Sequence, residues 1–240
     1  LGMSSSVLAL IVPFVLLAVA AICIRKRKLT FAAGMMAWLT GICIYLGGGL
    51  PGLLFLAVFF VLATLATGHR KAEKALQEQS DAHPEIRRSG QVLANGGVAS
   101  AISVLAFLHP DLKAPSLMMM AASLAAATAD TLSSELGVVY GKRHYNILTF
   151  RKEARGLDGV VSLEGTLLGA GGAAVIAVVY AMTVVPDGSA WYVFAGGVLG
   201  NLVDSLLGAS LERRGIIGNN MVNFFNTLSG AFIALALYAL

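Results

Sequence analysis

Residues 117–137, LMMMAASLAAATADTLSSELG, are almost free of strongly polar side chains until Asp130, and Glu135 follows within the same run. About 20 such residues cross a bilayer core as a helix, and the alanine run suits helix. A carboxylate inside a spanning segment costs roughly 2.5–3.5 kcal/mol on insertion scales, so it comes with a partner or a task. The stretch therefore decides two things at once. It is a transmembrane helix, and its end, ADTLSSELG (residues 129–137), is where chemistry is to be sought.

Composition agrees. Of 240 residues, 57% are hydrophobic and 12% charged, about half the charged share of a soluble domain. The net charge of +4 is not a nucleic-acid signal, because the cations sit in short clusters between apolar spans. Cys23 and Cys43 fall inside apolar stretches and read as buried thiols, with no disulfide or metal pair expected. Leu1-Gly2 ahead of Met3 reads as an expression remnant. The first apolar run ends in Arg25-Lys26-Arg27-Lys28 rather than a small-residue cleavage site, so it is expected to be a retained helix.

Hydropathy predicts eight spans, near 5–24, 29–47, 51–68, 90–108, 115–137, 159–184, 190–210 and 220–239. The expected fold is all-α, a polytopic transmembrane bundle forming one membrane domain over 3–240. Within it, three N-terminal helices (5–68) and a five-helix catalytic part (90–240) flank a cytoplasmic linker (69–89). That linker's first half reads as a short interfacial helix interrupted at Pro84. Eight crossings put sixteen of the seventeen Lys and Arg residues on one side, leaving Lys113 alone on the other. Positive loops face the cytoplasm, so both termini are expected outside it, in a bacterial-type inner membrane.

Threaded this way, the polar residues converge. Asp130, Glu135 and Asp204 lie in the cytoplasmic parts of spans running inward. Asn95, Ser162, Glu164, Asn220 and Asn223 lie near the starts of spans running outward. Three helix N-termini then aim their unpaired N–H groups at that layer, an arrangement that suits phosphate oxygens. Carboxylates there can hold Mg²⁺, which prefers one or two carboxylates plus substrate phosphates. Arg87, Arg88, Lys142, Arg143, Arg151, Lys152 and Arg155 add positive charge at the rim. The layer suits a magnesium-bound polyphosphate. Quieter explanations stand beside this one: Asp130 bonding Ser134 within its helix, asparagines joining helices, and Arg25–Lys28 and Arg213-Arg214 serving as orientation signals. Gly165, Gly169, Gly200 and Gly208 read as close-packing positions.

Five segments carry a resemblance: GQVLANGG at 90–97, ADTLSSELG at 129–137, DGVVSLEGTLLG at 158–169, GNLVDSLLGASLE at 200–212 and NNMVNF at 220–225. Together they resemble a family of integral membrane proteins that includes the phytyl-phosphate kinases of tocopherol synthesis. The likeness is good over residues 85–240 and rests on hydropathy alone before that. Leu132 stands where several relatives have an aromatic residue after the Asp-Thr pair. The resemblance implies a kinase that uses a nucleoside triphosphate, CTP foremost, to turn an isoprenoid alcohol monophosphate into its diphosphate. In that reading Asp130 and Asp204 hold Mg²⁺ with help from Glu135. Asn95, Ser162, Asn220 and Asn223 contact phosphate oxygens, and Arg88, Lys142, Arg143 and Arg155 neutralise charge.

There is no GxxxxGK[ST] loop and no GxGxxG after a strand, which excludes P-loop and Rossmann sites. A CTP-dependent cytidylyltransferase making a CDP-lipid is the nearest rival. A proton- or cation-coupled transporter ranks below it, because the outer half offers few polar residues to line a path. Prenyl chain length and the formation of a homo-oligomer stay open.

Overall fold

In the computed structural model, which describes residues 5–70, 86–184 and 188–240, seven helices are long and apolar enough to span a membrane. They are α1 (Ser5–Arg25), α2 (Phe31–Gly68), α3 (Ser89–Leu108), α4 (Lys113–Tyr140), α5 (Leu163–Thr183), α6 (Ala190–Leu207) and α7 (Asn219–Tyr238). The all-α expectation holds apart from a two-residue antiparallel pair, β1 (Tyr145–Asn146) with β2 (Val160–Val161). The interfacial helix expected around Pro84 falls outside the described residues.

The expected second and third spans are both halves of α2, which bends at Gly49 (φ 60°, ψ −151°). The bend is a reversal. Eight residues of straight helix would separate Ile44 and Gly52 by about 12 Å, yet a Cβ on Gly52 would lie 3.0 Å from Ile44 Cγ2. Among the described residues the two halves of α2 are therefore separate antiparallel arms, eight arms in all, matching the number read from hydropathy. Non-helical backbone at membrane depth must have its freed polar groups satisfied. Ser103 of α3 does this: its Oγ accepts from Gly47 N (3.2 Å) and Gly48 N (3.0 Å) and donates to the Ile44 carbonyl (2.8 Å).

The central element is α4. Ala121, Ala122, Ala125, Ala126, Ala127 and Ala129 are fully buried, because α2, α3, α5, α6 and α7 all pack on this helix. Small residues let those backbones come close. A Cβ on Gly169 (α5) would sit 2.7 Å from the Ala129 carbonyl oxygen, one on Gly197 (α6) 2.8 Å from Ala125 Cβ, and one on Gly230 (α7) 2.8 Å from Ala126 Cβ.

Neighbouring contacts gather the loops at one end of the bundle. Leu29 bridges Arg87, the His69 ring meets the Tyr140 hydroxyl at 2.7 Å, Gly141 lies against Ser162, Gly159 against Ala209, and Gly90 against Asn220. These are the basic loops, so that end is the basic end. Helix α1 runs antiparallel to the first half of α2, with Ile24 on Gly34 and Leu16 on Gly41. Its start therefore lies at the other end.

Two local departures matter for the site. The span expected to open at 159 begins at Leu163, because residues 160–161 pair with β1. The span expected to run to 210 leaves α-geometry at Gly208 and closes with a π-helical turn, Gly208–Glu212. Replacing Ser103 by Ala strands two amides and a carbonyl in an apolar interior. The loss is expected to be about 1–3 kcal/mol, read as a lower unfolding temperature in detergent, with no such drop for the exposed neighbour Leu105→Ala.

Candidate active site

Register, rather than any single contact, brings the acids together. Helices α4 and α6 run the same way: a Cβ on Gly196 would lie 3.1 Å from Ala122 Cβ, and one on Gly200 2.8 Å from Ala126 Cβ. One turn further on each helix come Asp130 and Asp204. Their carboxyl groups lie within hydrogen-bonding reach of each other, and Asp204 Oδ2 is buried with no hydrogen-bond partner. Two carboxylates so close repel unless a proton or cation sits between them. A buried oxygen with nothing to accept from is also costly. The pair has the chemistry of a cation site.

Helix α7 runs the opposite way and meets the same level. Asn226 Nδ2 donates to the Ala126 carbonyl (3.4 Å), so one turn earlier Asn223 comes level with the acid pair. Asn223 is buried and donates to Asn219 Oδ1 (3.3 Å). On α3, Asn95 Oδ1 is buried and makes no hydrogen bond. Gly90 at the start of α3 touches Asn220 at the start of α7. At neither N-terminus does the cap residue's own side chain accept from the first turn: Gly218 has none to offer, and at Arg88 it is the backbone amide that is engaged, donating to Gln91 Oε1 (2.9 Å). Two sets of helix-terminal N–H groups thus open side by side at the basic end.

Other expected residues are placed differently. Glu135 does not join the acid pair: five residues of helix turn it about 140° from Asp130 and carry it about 7.5 Å on. It lies instead near Arg87. Ser162 is buried as the N-cap of α5, its Oγ accepting from Gly165 N (3.1 Å), so its oxygen is engaged in the fold. The Ser134 hydroxyl donates to the backbone carbonyl of Asp130 (2.9 Å) and leaves the carboxylate to other partners. Arg88, Lys142, Arg143 and Arg155 are exposed at the rim. The Lys142 amide donates to Glu164 Oε2 (3.3 Å), and Arg155 to the Val138 carbonyl (3.4 Å). Among the described residues no three His, Cys, Asp or Glu side chains are grouped to cage an ion by themselves. A cation here therefore needs ligand oxygens as well, as Mg²⁺ sites on phosphates commonly do.

Two acids were not singled out from sequence. Asp158 and Glu212 both act electrostatically on Asp204. They arrive through a contact between distant backbones: Gly159 (φ 67°) presses on Ala209, and a Cβ on Gly208 would sit 2.9 Å from Gly159 N. Their signal was present, since they open DGVVSLEG and close GNLVDSLLGASLE. Arg213, expected only to orient the chain, fastens this contact. It pairs with Glu153 (2.6 Å) and its Nε donates to the Asp158 carbonyl (2.7 Å).

Comparison with known proteins places this geometry in context. The profile described as integral membrane protein DUF92 matches residues 14–231. An uncharacterised membrane protein of Methanocaldococcus jannaschii is 30% identical over 97% of this chain and 96% of its own. An uncharacterised membrane protein of Synechocystis is 29% identical over 96% of this chain and 90% of its own. The chloroplastic protein VTE6 of Arabidopsis thaliana is 30% identical over 83% of this chain and 62% of its own length. No solved structure matches the chain.

The Glu153 carboxyl is held below the usual carboxylate range, first by its hydrogen bond to Arg213. A depressed carboxylate contributes its stability above the unfolded value and loses it as pH falls through the folded one. Protection of the 142–161 loop from proteolysis is accordingly expected to be full at neutral pH. It should drop as pH falls below the ordinary carboxylate range, and Arg213→Ala should show the unprotected pattern at every pH.

Proposed function

The chain belongs to the DUF92 family of integral membrane proteins, and on that footing we propose that it is a kinase of isoprenoid monophosphates working at its basic end. It would take a phosphoryl group from a nucleoside triphosphate, CTP foremost, and make the prenyl diphosphate. One observation carries the reading. Asp130 and Asp204 meet with Asp204 Oδ2 unpartnered, at the end of the bundle where the first-turn amides of α3 and α7 receive no bond from their cap side chains. Family membership and the motif resemblance support the substrate class. The positive-inside rule supports a cytoplasmic site in a plasma-type membrane.

The donor set fits Mg²⁺, which Asp130 and Asp204 would hold together with phosphate oxygens. Bound there, the ion would offset the negative charge of a triphosphate. The chain's own residues supply the rest. Helix-terminal amides of α3 and α7, with Asn95, Asn220 and Asn223, orient phosphate oxygens. Arg88, Lys142, Arg143 and Arg155 lower the cost of bringing two anions together. The attacking oxygen of a lipid monophosphate is already anionic, so no general base is required. Alignment and electrostatics are what phosphoryl transfer mainly asks of a protein. Glu135, placed near Arg87, acts in this reading through that arginine. The prenyl tail leaves sideways between helices into the bilayer, which gives a reason for an active site inside a membrane.

Purified protein in nanodiscs, given phytyl, farnesyl or geranylgeranyl monophosphate and each nucleoside triphosphate, should yield nucleoside diphosphate and lipid diphosphate. Pyrophosphate with a CDP-lipid would instead make it a cytidylyltransferase. Asp130→Asn and Asp204→Asn should each lower turnover by roughly a hundredfold or more, the scale of losing a main electrostatic group, while the protein still inserts. Unchanged rates in either would overturn the assignment of the pair.

A further inference from the structure

Between α4 and α5 the chain makes a tight hairpin that the proposed reaction does not use. The Asn146 amide donates to the Arg151 carbonyl and the Phe150 amide to the Asn146 carbonyl, both at 2.9 Å. Asn146 is buried, and its Oδ1 accepts from Leu148 N (2.9 Å) and Thr149 N (3.1 Å). The Ile147 amide donates to the Gly159 carbonyl at 3.1 Å, and Glu153 is held by Arg213. The tip is thus fixed in shape from three sides.

What the fixed tip displays is apolar. Phe150 is 79% exposed, Leu148 47%, and Leu157 on the returning segment 43%. Phe150 also holds φ at 54°, a left-handed conformation that is uncommon for a bulky residue. A phenylalanine kept in a strained backbone and turned outward is not packing the fold. Its surroundings are cationic: Arg151 and Lys152 are exposed and, among the described residues, pair with no carboxylate. The hairpin joins two spanning helices ending at Tyr140 and starting at Leu163, so it stands at the basic end, beyond both spans and within reach of the bilayer surface.

We propose that this hairpin, with Leu148 and Phe150 at its tip and Arg151 and Lys152 behind them, docks into an anionic lipid surface. Apolar residues that enter the acyl boundary while Lys and Arg meet headgroup phosphates are a recurrent interfacial arrangement. The surface is separate from the acid pair, and it fixes the depth at which that end of the bundle sits in the membrane.

The test uses the full chain in nanodiscs holding one copy, with Phe150→Trp compared against the parent, whose tryptophans are Trp38 and Trp191. Discs of phosphatidylcholine alone, and with added phosphatidylglycerol, include lipids brominated near the headgroup. The added tryptophan is expected to emit blue-shifted, to be quenched by brominated lipid and to be shielded from iodide. Phosphatidylglycerol should strengthen the quenching, and Arg151→Glu with Lys152→Glu should abolish that increment. Leu148→Trp gives the same readout from the other tip residue if position 150 does not tolerate the change. Emission typical of water with full iodide access at both positions overturns the proposal. So does shielding that appears only with two copies per disc, which would make the surface a contact between chains. An anionic increment that survives the charge reversal also overturns it.

Discussion

The alanine ridge of α4 is the constraint on which the rest depends. Inside a bilayer, burying apolar surface between helices gains little, because lipid is as apolar as the neighbouring side chains. Association has to come from close van der Waals contact and from hydrogen bonds. Alanines at 122, 125, 126 and 129 let α5, α6 and α7 approach through Gly169, Gly196, Gly197, Gly200 and Gly230. At such distances a helix cannot slide by a turn without driving Cβ atoms into a facing backbone. Packing here fixes register.

Register is what makes the site. On α4 the ridge residue Ala126 is followed one turn later by Asp130, and on α6 Gly200 is followed one turn later by Asp204. Because the helices are parallel, locking the first pair puts the second pair together. Antiparallel α7, pinned at Gly230 and Asn226, brings Asn223 to the same level. The cost of placing carboxylates within a membrane protein is thus carried by a scaffold of small side chains some turns away. The acids would have no common depth without it.

This explains what could be read in advance. Span number, the side on which basic loops gather, and the shared depth of Asp130, Asp204 and Asn223 follow from hydropathy, charge and a rise of about 1.5 Å per residue. All of these are additive along the chain. The azimuth of Glu135 also follows from spacing: it shares a depth with Asp130 but, five residues on, not a face. The hairpin at Gly49 was expected as two spans, whereas its stabilisation by Ser103, 54 residues later, is a tertiary fact. Asp158 and Glu212 escaped because they reach Asp204 only through the contact of Gly159 with Gly208–Ala209 and the extra width of a π-turn. Such turns inside α-helices are frequent at functional sites, and nothing in residue spacing announces one.

The same logic gives the two halves of α2 a part to play. Arg87 is joined to the start of α2 by paired backbone bonds, Thr30 N to the Arg87 carbonyl (3.1 Å) and Arg87 N to the Lys28 carbonyl (3.2 Å). Its guanidinium lies over Phe60 on the other half of α2, 5.9 Å from the ring centroid. Burial, the larger effect, pulls its pKa down, and Glu135 pushes it back up. An arginine is costly to hold in such a place unless a carboxylate and an aromatic face compensate it. Glu135 belongs to the helix that carries Asp130, so the compensation can be complete only when both halves of α2 are docked on the end of α4. Both halves of α2 therefore bear on the helix that carries Asp130, through a charge that only the assembled bundle can keep satisfied.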